Sequence, residues 1–488
     1  MHLNYLANIG RYVPEILLVV LMVGLILIEA TYKEDEKNRK YIFIASIIGL
    51  VATFAALIVN LNGPAQNIFS NSVVIDPFST IMKMIMVLGT LAAIYLSRFS
   101  KDIYETLKTE FAIMSVGILI GGFLLASANN MITLYIGIET LSLLSYVMAA
   151  FKKNDERSAE AGLKYAIYGA VSSGLMLYGM SHIFGVIGTV QFAGVAGVIP
   201  TLAPTQLAIL LPAFLLFFVG IGYKIATVPF HMWSPDVYEG SPTPVTTFFA
   251  VVPKLAGIAV LIRMTSIFFS VESPLRIGWV GLVIVIAALT MTVGNVTAIG
   301  QKSVKRMLAY SSISHAGIML AGVVAINDFG IRSVVFYAIT YLFMTVVAFY
   351  ITSIVQDKYG NDHFERFNGL IYRYPFMAVV MVVVMFSLTG IPPLAGFVAK
   401  YNILSSLVNT KNYALAIVLG LNSVVSAYYY LKIVRLMTLK PAENNETIEG
   451  FSFLNQFIIV AMAIPVLVLG IFWNSLMTLV KGATLFIQ

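Results

Sequence analysis

The sequence predicts an all-α polytopic membrane protein of about fourteen transmembrane helices. Three observations lead there. Of 488 residues, 59% are hydrophobic and only 11% charged, and a soluble protein carries about twice that share of charge. The apolar residues fall into runs of about 20, the length that crosses a bilayer as a helix. The loops between the runs alternate between rich and poor in Lys and Arg, as the positive-inside rule requires of a multi-pass chain.

Taken in order, the runs lie at 12–31, 40–61, 77–98, 110–127, 129–151, 159–187, 205–229, 242–268, 277–299, 303–325, 330–354, 376–403, 412–437 and 453–475. The first, from Val13 to Ile28, is long for a signal-peptide core, and no small-residue cleavage site follows it, so it is read as a helix. Only Ala128 to Asn130 separate the fourth from the fifth. One set of alternate loops, among them Lys33, Lys37, Arg39, Lys40, Lys152, Lys153, Lys302, Lys305 and Arg306, holds 19 of the 30 basic residues. The opposite face, tails included, has 6, namely Arg11, Arg263, Arg276, Arg332, Lys411 and Lys481. This bias puts the first set in the cytoplasm and both termini outside.

The remaining five lysines, Lys83, Lys164, Lys224, Lys254 and Lys400, lie within runs. A charge at membrane depth is costly and is a functional-site hypothesis by default. Lys83 and Lys164 sit about two turns from a run's end, where an ammonium can snorkel to the interface. Lys254 is too deep for that. Lys224 precedes Pro229, and Lys400 follows Pro392 and Pro393. Proline removes a backbone donor and breaks a helix, and freed backbone at membrane depth must face protein or water. Glu139, midway along the fifth run, is the only carboxylate well inside one. His315 stands in a line of polar residues with Tyr310, Ser311, Ser312 and Ser314. His231, Asp236 and Glu239 read as loop residues at the mouth of the seventh run.

These breaks suggest an internal repeat. Each is a lysine beside proline, five runs apart, and adding five spans reverses direction, so such repeats are inverted. The expected organisation is residues 1–109 with helices 1–3, 110–268 as a first five-helix repeat of helices 4–8, 277–437 as the inverted second repeat of helices 9–13, and 438–488 as a C-terminal loop and helix 14. Helices 7 and 12 are the broken ones.

Composition also excludes. There is no cysteine, hence no iron–sulfur cluster or thiolate metal site. The five histidines lack ligand spacing, and no dinucleotide fingerprint or P-loop stands out. No cofactor and no metal are expected in this chain. The net charge of +7 is read as topology-setting loop lysines, not as a nucleic-acid footprint. The residues alone support an ion or proton pathway in a transporter; a membrane scaffold with buried lysines kept for packing is the competing reading.

At VPFHMWSPDVYEGSPTPVTTFFAVVPK, GNVTAIGQKSVKRMLAYSSISHAG and LTGIPPLAGFVAKYNIL the chain resembles the antiporter-like membrane subunits of respiratory complex I and of the multi-subunit cation/proton antiporters. The resemblance runs from about Glu139 to Arg435. It implies a proton relay through Glu139, Lys224, Lys254 and Lys400, with Lys224 partnered by Glu139, Lys164 beside that acid, and Lys400 near the outer exit. Lys164 and His315 are accessory candidates. Lysine at 400, where one branch has glutamate, and too little chain after the last run for a lateral amphipathic helix narrow the branch.

The resemblance further implies a non-redox subunit of a proton-translocating NADH:quinone oxidoreductase. NADH, FMN, iron–sulfur clusters and quinone belong to the parent complex. The implied partners are other membrane-arm subunits, through them the peripheral redox arm, and the lipid bilayer. A subunit of a sodium (cation)/proton antiporter is the alternative. In either case weakening the Glu139–Lys224 pair is expected to free a proton toward Lys254 and Lys400.

Overall fold

The computed structural model describes residues 9–31, 36–152, 154–269, 273–442 and 453–481. Lys33 and Lys153 lie outside the described residues, as do both chain ends. Each expected run coincides with one helix or a pair of helices. The first half has α1 (Val13–Thr31), α2 (Glu36–Leu61), α3 (Pro77–Phe99), α4 (Leu107–Ser127), α5 (Met131–Ala149), α6 (Glu156–Ile187), α7 (Pro204–Lys224), α8 (Trp233–Gly240) and α9 (Thr243–Phe268). The second has α10 (Pro274–Ile299), α11 (Val304–Val323), α12 (Asp328–Tyr359), α13 (Pro375–Thr389), α14 (Ala395–Asn409), α15 (Tyr413–Leu439), α16 (Phe453–Ile471) and α17 (Trp473–Lys481). Among the described residues, 11 helices are long and apolar enough to cross a membrane, or 12 with α16 and α17, which meet at 90°. The chain is a multi-pass membrane protein.

Helix boundaries follow from capping chemistry. α4 and α5 are separate because Asn130 accepts from the backbone of Thr133 at 2.7 Å and starts a new helix. Asp76 caps α3, with Ser79 completing a reciprocal box. Ser303 caps α11. A short antiparallel hairpin, Gln66–Ile68 with Val73–Ile75, was not legible as strands in the apolar pattern. It pairs through Val73 with Ala128 and covers the α4–α5 junction.

The core is organised on α9. Every residue of this helix is buried, and it packs against α3, α4, α12 and α11. A helix apolar all round belongs inside a bundle. Pro253 lies within α9, yet the helix is continuous from Thr243 to Phe268. By contrast α1 and α2 expose most of their apolar surface, as lipid-facing helices do.

Both proline sites do break their helices. α7 stops at Lys224, and α8 starts at Trp233. α13 stops at Thr389, and α14 starts at Ala395. The Val228–Pro229 and Pro392–Pro393 peptides are cis. Ala226 and Gly390 both adopt positive φ, 58° and 93°.

Several charged residues sit elsewhere than their sequence positions suggest. Lys83 does not snorkel: it is buried and pairs with Glu15 of α1 at 2.5 Å. Arg263 is no loop residue: it lies in α9, fully buried, and forms a bidentate pair with Asp76 at 2.8 and 2.9 Å. Lys305 is buried in the first turn of α11, not free in a loop. Asp236 and Glu239 belong to α8. Lys83, Arg263 and Lys305 are each held inside by a carboxylate remote in sequence, Glu15, Asp76 and Asp102, and hydropathy carries no record of such a partner.

Candidate functional site

The two breaks and the middle of α9 bring most of the sequence-selected residues together. Lys224 is the last residue of α7, at the carbonyl end where helix geometry favours a cation. It is buried, donates to the Tyr165 hydroxyl at 3.2 Å, and lies 5.1 to 5.8 Å from the rings of Tyr146, Tyr165 and Tyr223. The break beyond it is braced by neighbours. The backbone N–H of Val228 donates to the Thr290 hydroxyl of α10 at 3.0 Å, and the Trp233 indole donates to the Tyr223 carbonyl at 3.0 Å. Trp233 in turn stacks on Tyr165 with centroids 4.3 Å apart. His231, two residues past Pro229, is partly exposed at this break.

Glu139 is half-buried on α5 and accepts from the Ser173 hydroxyl of α6. It lies within electrostatic range of Lys224 but does not touch it, so the expected direct pair is replaced by separate partners. Lys164 is not beside this acid. It is more than a third exposed and pairs with Glu160 and Asp236, each at 2.6 Å. The reason is register: Lys164 precedes Ser173 by nine residues on α6, which at 1.5 Å per residue separates them by about 13 Å along the axis.

Lys254 projects from the buried centre of α9. It donates to the carbonyl of Ser312 at 3.1 Å and to the same residue's hydroxyl. The Tyr341 hydroxyl donates to Ser312 at 2.9 Å. Tyr238 from α8 faces Lys254, with its ring 5.9 Å from the ammonium. His315 is one turn further along α11. Its Nδ1 meets the Tyr337 hydroxyl at 2.6 Å and its Nε2 the Tyr430 hydroxyl at 3.0 Å. Tyr430 also bonds Ser311. His315 lies within electrostatic range of both Lys254 and Lys400.

Lys400 closes the second break. It donates to the carbonyls of Leu388 and Thr389, at 2.9 and 2.8 Å, which are the orphan acceptors at the end of α13. Gly396, at the start of α14, donates its N–H to the Ser387 hydroxyl at 3.0 Å. Gly470 of α16 comes so close to Pro393 and Leu394 that a Cβ there would overlap their backbone.

The joining residues are what sequence reasoning missed. Tyr165, Tyr337, Tyr341 and Tyr430 are buried between the lysines, whereas tyrosine in a membrane chain is first assigned to the interfacial belts. One signal was available. Tyr337 and Tyr341 are four residues apart, as are Ser311 and His315, so each pair shares a helix face.

A second missed group lies at the basic end of the bundle. Asp102, in the loop before α4, pairs with Lys152 and with Lys305 at 3.8 Å, and accepts from the backbone of Thr243 at 2.7 Å. Burial pushes its carboxyl up, but Lys305, Lys152 and Thr243 outweigh that and hold it below the usual carboxylate range. Lys305 also donates to the carbonyl of Ser241. Asp236 is likewise pushed up by burial and brought below its ordinary range by Lys164 and Arg306. Together these contacts tie α8 and the start of α9 to α6, α11 and the loop before α4. Among the described residues no group of His, Asp and Glu could hold a metal.

This architecture has known relatives. The NADH:quinone oxidoreductase/Mrp antiporter transmembrane family matches residues 128–426, more than half of the chain. The NADH-quinone oxidoreductase subunit N of Methylobacterium nodulans is 39% identical over 440 residues, 89% of this chain and 89% of that protein. A chain in the structure of respiratory complex I from Thermus thermophilus with bound aureothin superposes with a TM-score of 0.81 at 29% identity, covering 95% of this chain and 98% of that one. A chain of the Mrp complex from Dietzia sp. superposes with a TM-score of 0.82 at 20% identity, covering 97% of each, and shows a shared fold alone. The chain therefore belongs to the NADH:quinone oxidoreductase/Mrp antiporter transmembrane family and, within it, to the branch of NADH-quinone oxidoreductase subunit N.

Proposed function

We propose that protons cross this membrane-arm subunit of an NADH–quinone oxidoreductase along Glu139, Lys224, Lys254, His315 and Lys400. One observation carries the reading: Lys224, Lys254 and Lys400 are all buried, and their hydrogen-bond partners are hydroxyls or backbone carbonyls, not carboxylates. A lysine held by a carboxylate is fixed as an ion pair. A lysine among hydroxyls and freed carbonyls can take and release a proton without stranding a counter-ion. Intramembrane ionisable residues arranged in this way are the ordinary material of proton relays.

The tyrosines divide the axis into steps. Tyr165 hands on from Lys224, Ser312 and Tyr341 surround Lys254, and Tyr337 and Tyr430 hold His315 from both sides. Glu139 acts on Lys224 through space, with Ser173 fixing its carboxylate. Lys164 serves the mouth with Asp236, not the axis. The two lysine-bearing breaks, one in α4–α9 and one in α10–α15, support the reading of two inverted five-helix repeats. The driving force is assigned to redox groups in other subunits: NADH, flavin, iron–sulfur clusters and quinone. Those partners, an inner-membrane location and both termini on the outer side complete the proposal.

The test is NADH-driven proton uptake in vesicles carrying Lys400→Ala, with quinone turnover and complex assembly assayed in parallel. Loss of uptake in an assembled complex supports the path through Lys400. Unchanged uptake removes Lys400 from it. Uptake that follows sodium and ignores NADH would point instead to a cation/proton antiporter.

A further inference from the structure

We propose that the open cavity between α2, α3 and α4 binds the phosphate headgroup of an anionic phospholipid. The cavity holds about 500 Å³, and none of the relay residues lines it. Five cations line it: Lys37, Arg39, Lys40, Arg98 and Lys108, against two carboxylates, Glu36 and Glu105. Glu105 is shared between Lys108, at 2.7 Å, and Arg39, at 3.8 Å. Lys37 and Lys40 are exposed and form no ion pair among the described residues. Among the described residues the site therefore presents more positive than negative charge.

Two further features select a phosphate on a lipid. The first turns of α2 and α4 both open into the cavity, and helix N-termini present free amides to anions. Thr106, the N-cap of α4, does not use its side chain to satisfy them. Part of the wall is apolar, with Ile42, Phe43, Ile94 and Ala112, and the Arg98 guanidinium lies over the Phe43 ring at 4.5 Å. Tyr41, Ile44 and Ile48 of α2 continue that apolar surface outward, exposed. A basic rim above an oily wall at the polar end of membrane helices fits a headgroup with its acyl chains lying along α2. A free phosphate would use the rim and leave the wall bare.

The experiment is binding of a fluorescent phosphatidylglycerol to the purified full-length chain in neutral detergent, with circular dichroism as a folding control. Phosphatidylcholine and inorganic phosphate serve as competitors. The double variant Lys37→Gln/Lys40→Gln should weaken binding by at least about ten-fold, and Lys37→Arg/Lys40→Arg should retain it. Neither competitor should displace the labelled lipid. Equal binding by the Gln variant would overturn the site. Displacement by phosphatidylcholine would mean non-specific lipid contact. Displacement by inorganic phosphate would mean a free-anion site, and either result overturns the proposal.

Discussion

The two helix breaks solve the same problem with different partners. Each leaves a half-helix ending in orphan carbonyls with a lysine beside them. At the second break the solution is internal: Lys400 of α14 reaches back to the carbonyls of Leu388 and Thr389, and Ser387 of α13 takes the N–H of Gly396. At the first break it is mixed: the Thr227 N–H returns to the Gly222 carbonyl at 2.9 Å and the Trp233 indole to the Tyr223 carbonyl at 3.0 Å, and further contacts come from outside. Lys224 turns to Tyr165 of α6, and Val228 is held by Thr290 of α10. Thr290 belongs to the second group of five helices, so the first break is also hydrogen-bonded across the molecule, whereas the hydrogen bonds named at the second come from its own two half-helices.

The largest effects should separate lysine chemistry from break geometry. Lys224→Ala and Lys400→Ala are each expected to lower NADH-driven proton uptake by at least about ten-fold. Their stabilities should differ. Removing Lys400 leaves two buried carbonyls without their donor, at a cost of about 1–3 kcal/mol. Removing Lys224 relieves a buried ammonium and leaves only a tyrosine hydroxyl. Thermal unfolding in detergent should therefore show the Lys400 variant as the less stable; the reverse order would break the comparison.

Next come the braces. Thr290→Val leaves the Val228 N–H unsatisfied, and Ser387→Ala does the same to Gly396, each by about 1–3 kcal/mol. If the first break is coupled across the molecule, Thr290→Val should also lower proton uptake, whereas Ser387→Ala should cost stability with uptake nearly kept. Equal effects on uptake would mean that both breaks are local devices. Tyr165→Phe is a smaller test. It removes one hydrogen bond from Lys224 and should lower uptake by about five-fold, which corresponds to roughly 1 kcal/mol. Tyr223→Phe, whose hydroxyl binds the Tyr165 carbonyl and not Lys224, is the matched control and should retain uptake.

How much of this was legible in the sequence depended on what carries the signal. Span positions and the two breaks were legible, because apolar length and proline act locally. So was the burial of Lys224, Lys254 and Lys400, because a charge in an apolar run is conspicuous by itself. Partners were not. Lys164 looked like a companion of Glu139, and the nine-residue offset along α6 sends it to Asp236. Lys83 looked able to snorkel, and Glu15, from a helix 68 residues away in sequence, holds it inside. Arg263 and Lys305 looked like topology signals and are buried by Asp76 and by Asp102 with Ser241. The tyrosine bridges needed two helix faces to be aligned, which spacing hints at and only packing decides.

The smallest expected effect concerns the ionic cluster beyond the first break. Asp102 anchors Thr243, where α8 passes into α9, and its carboxyl is held below the ordinary range by Lys305, Lys152 and Thr243 against the opposing effect of burial. A carboxyl depressed in the folded state stabilises it at pH values above the unfolded value of about 3.9. That contribution is lost as pH falls through the lower folded value. Hydrogen exchange over residues 233–243 should thus be insensitive to protonation of this cluster from neutral pH down to about 4, after correction for intrinsic rates, and should rise below that. Asp102→Asn keeps an acceptor for Thr243 but removes the charge facing two lysines. It should raise exchange modestly at neutral pH and abolish the acid step. If the step survives in the variant, another carboxylate of the cluster, with Asp236 the first to test, latches the far end of α8. The first break would still be held from outside, by α6 and α11 instead of by the loop before α4.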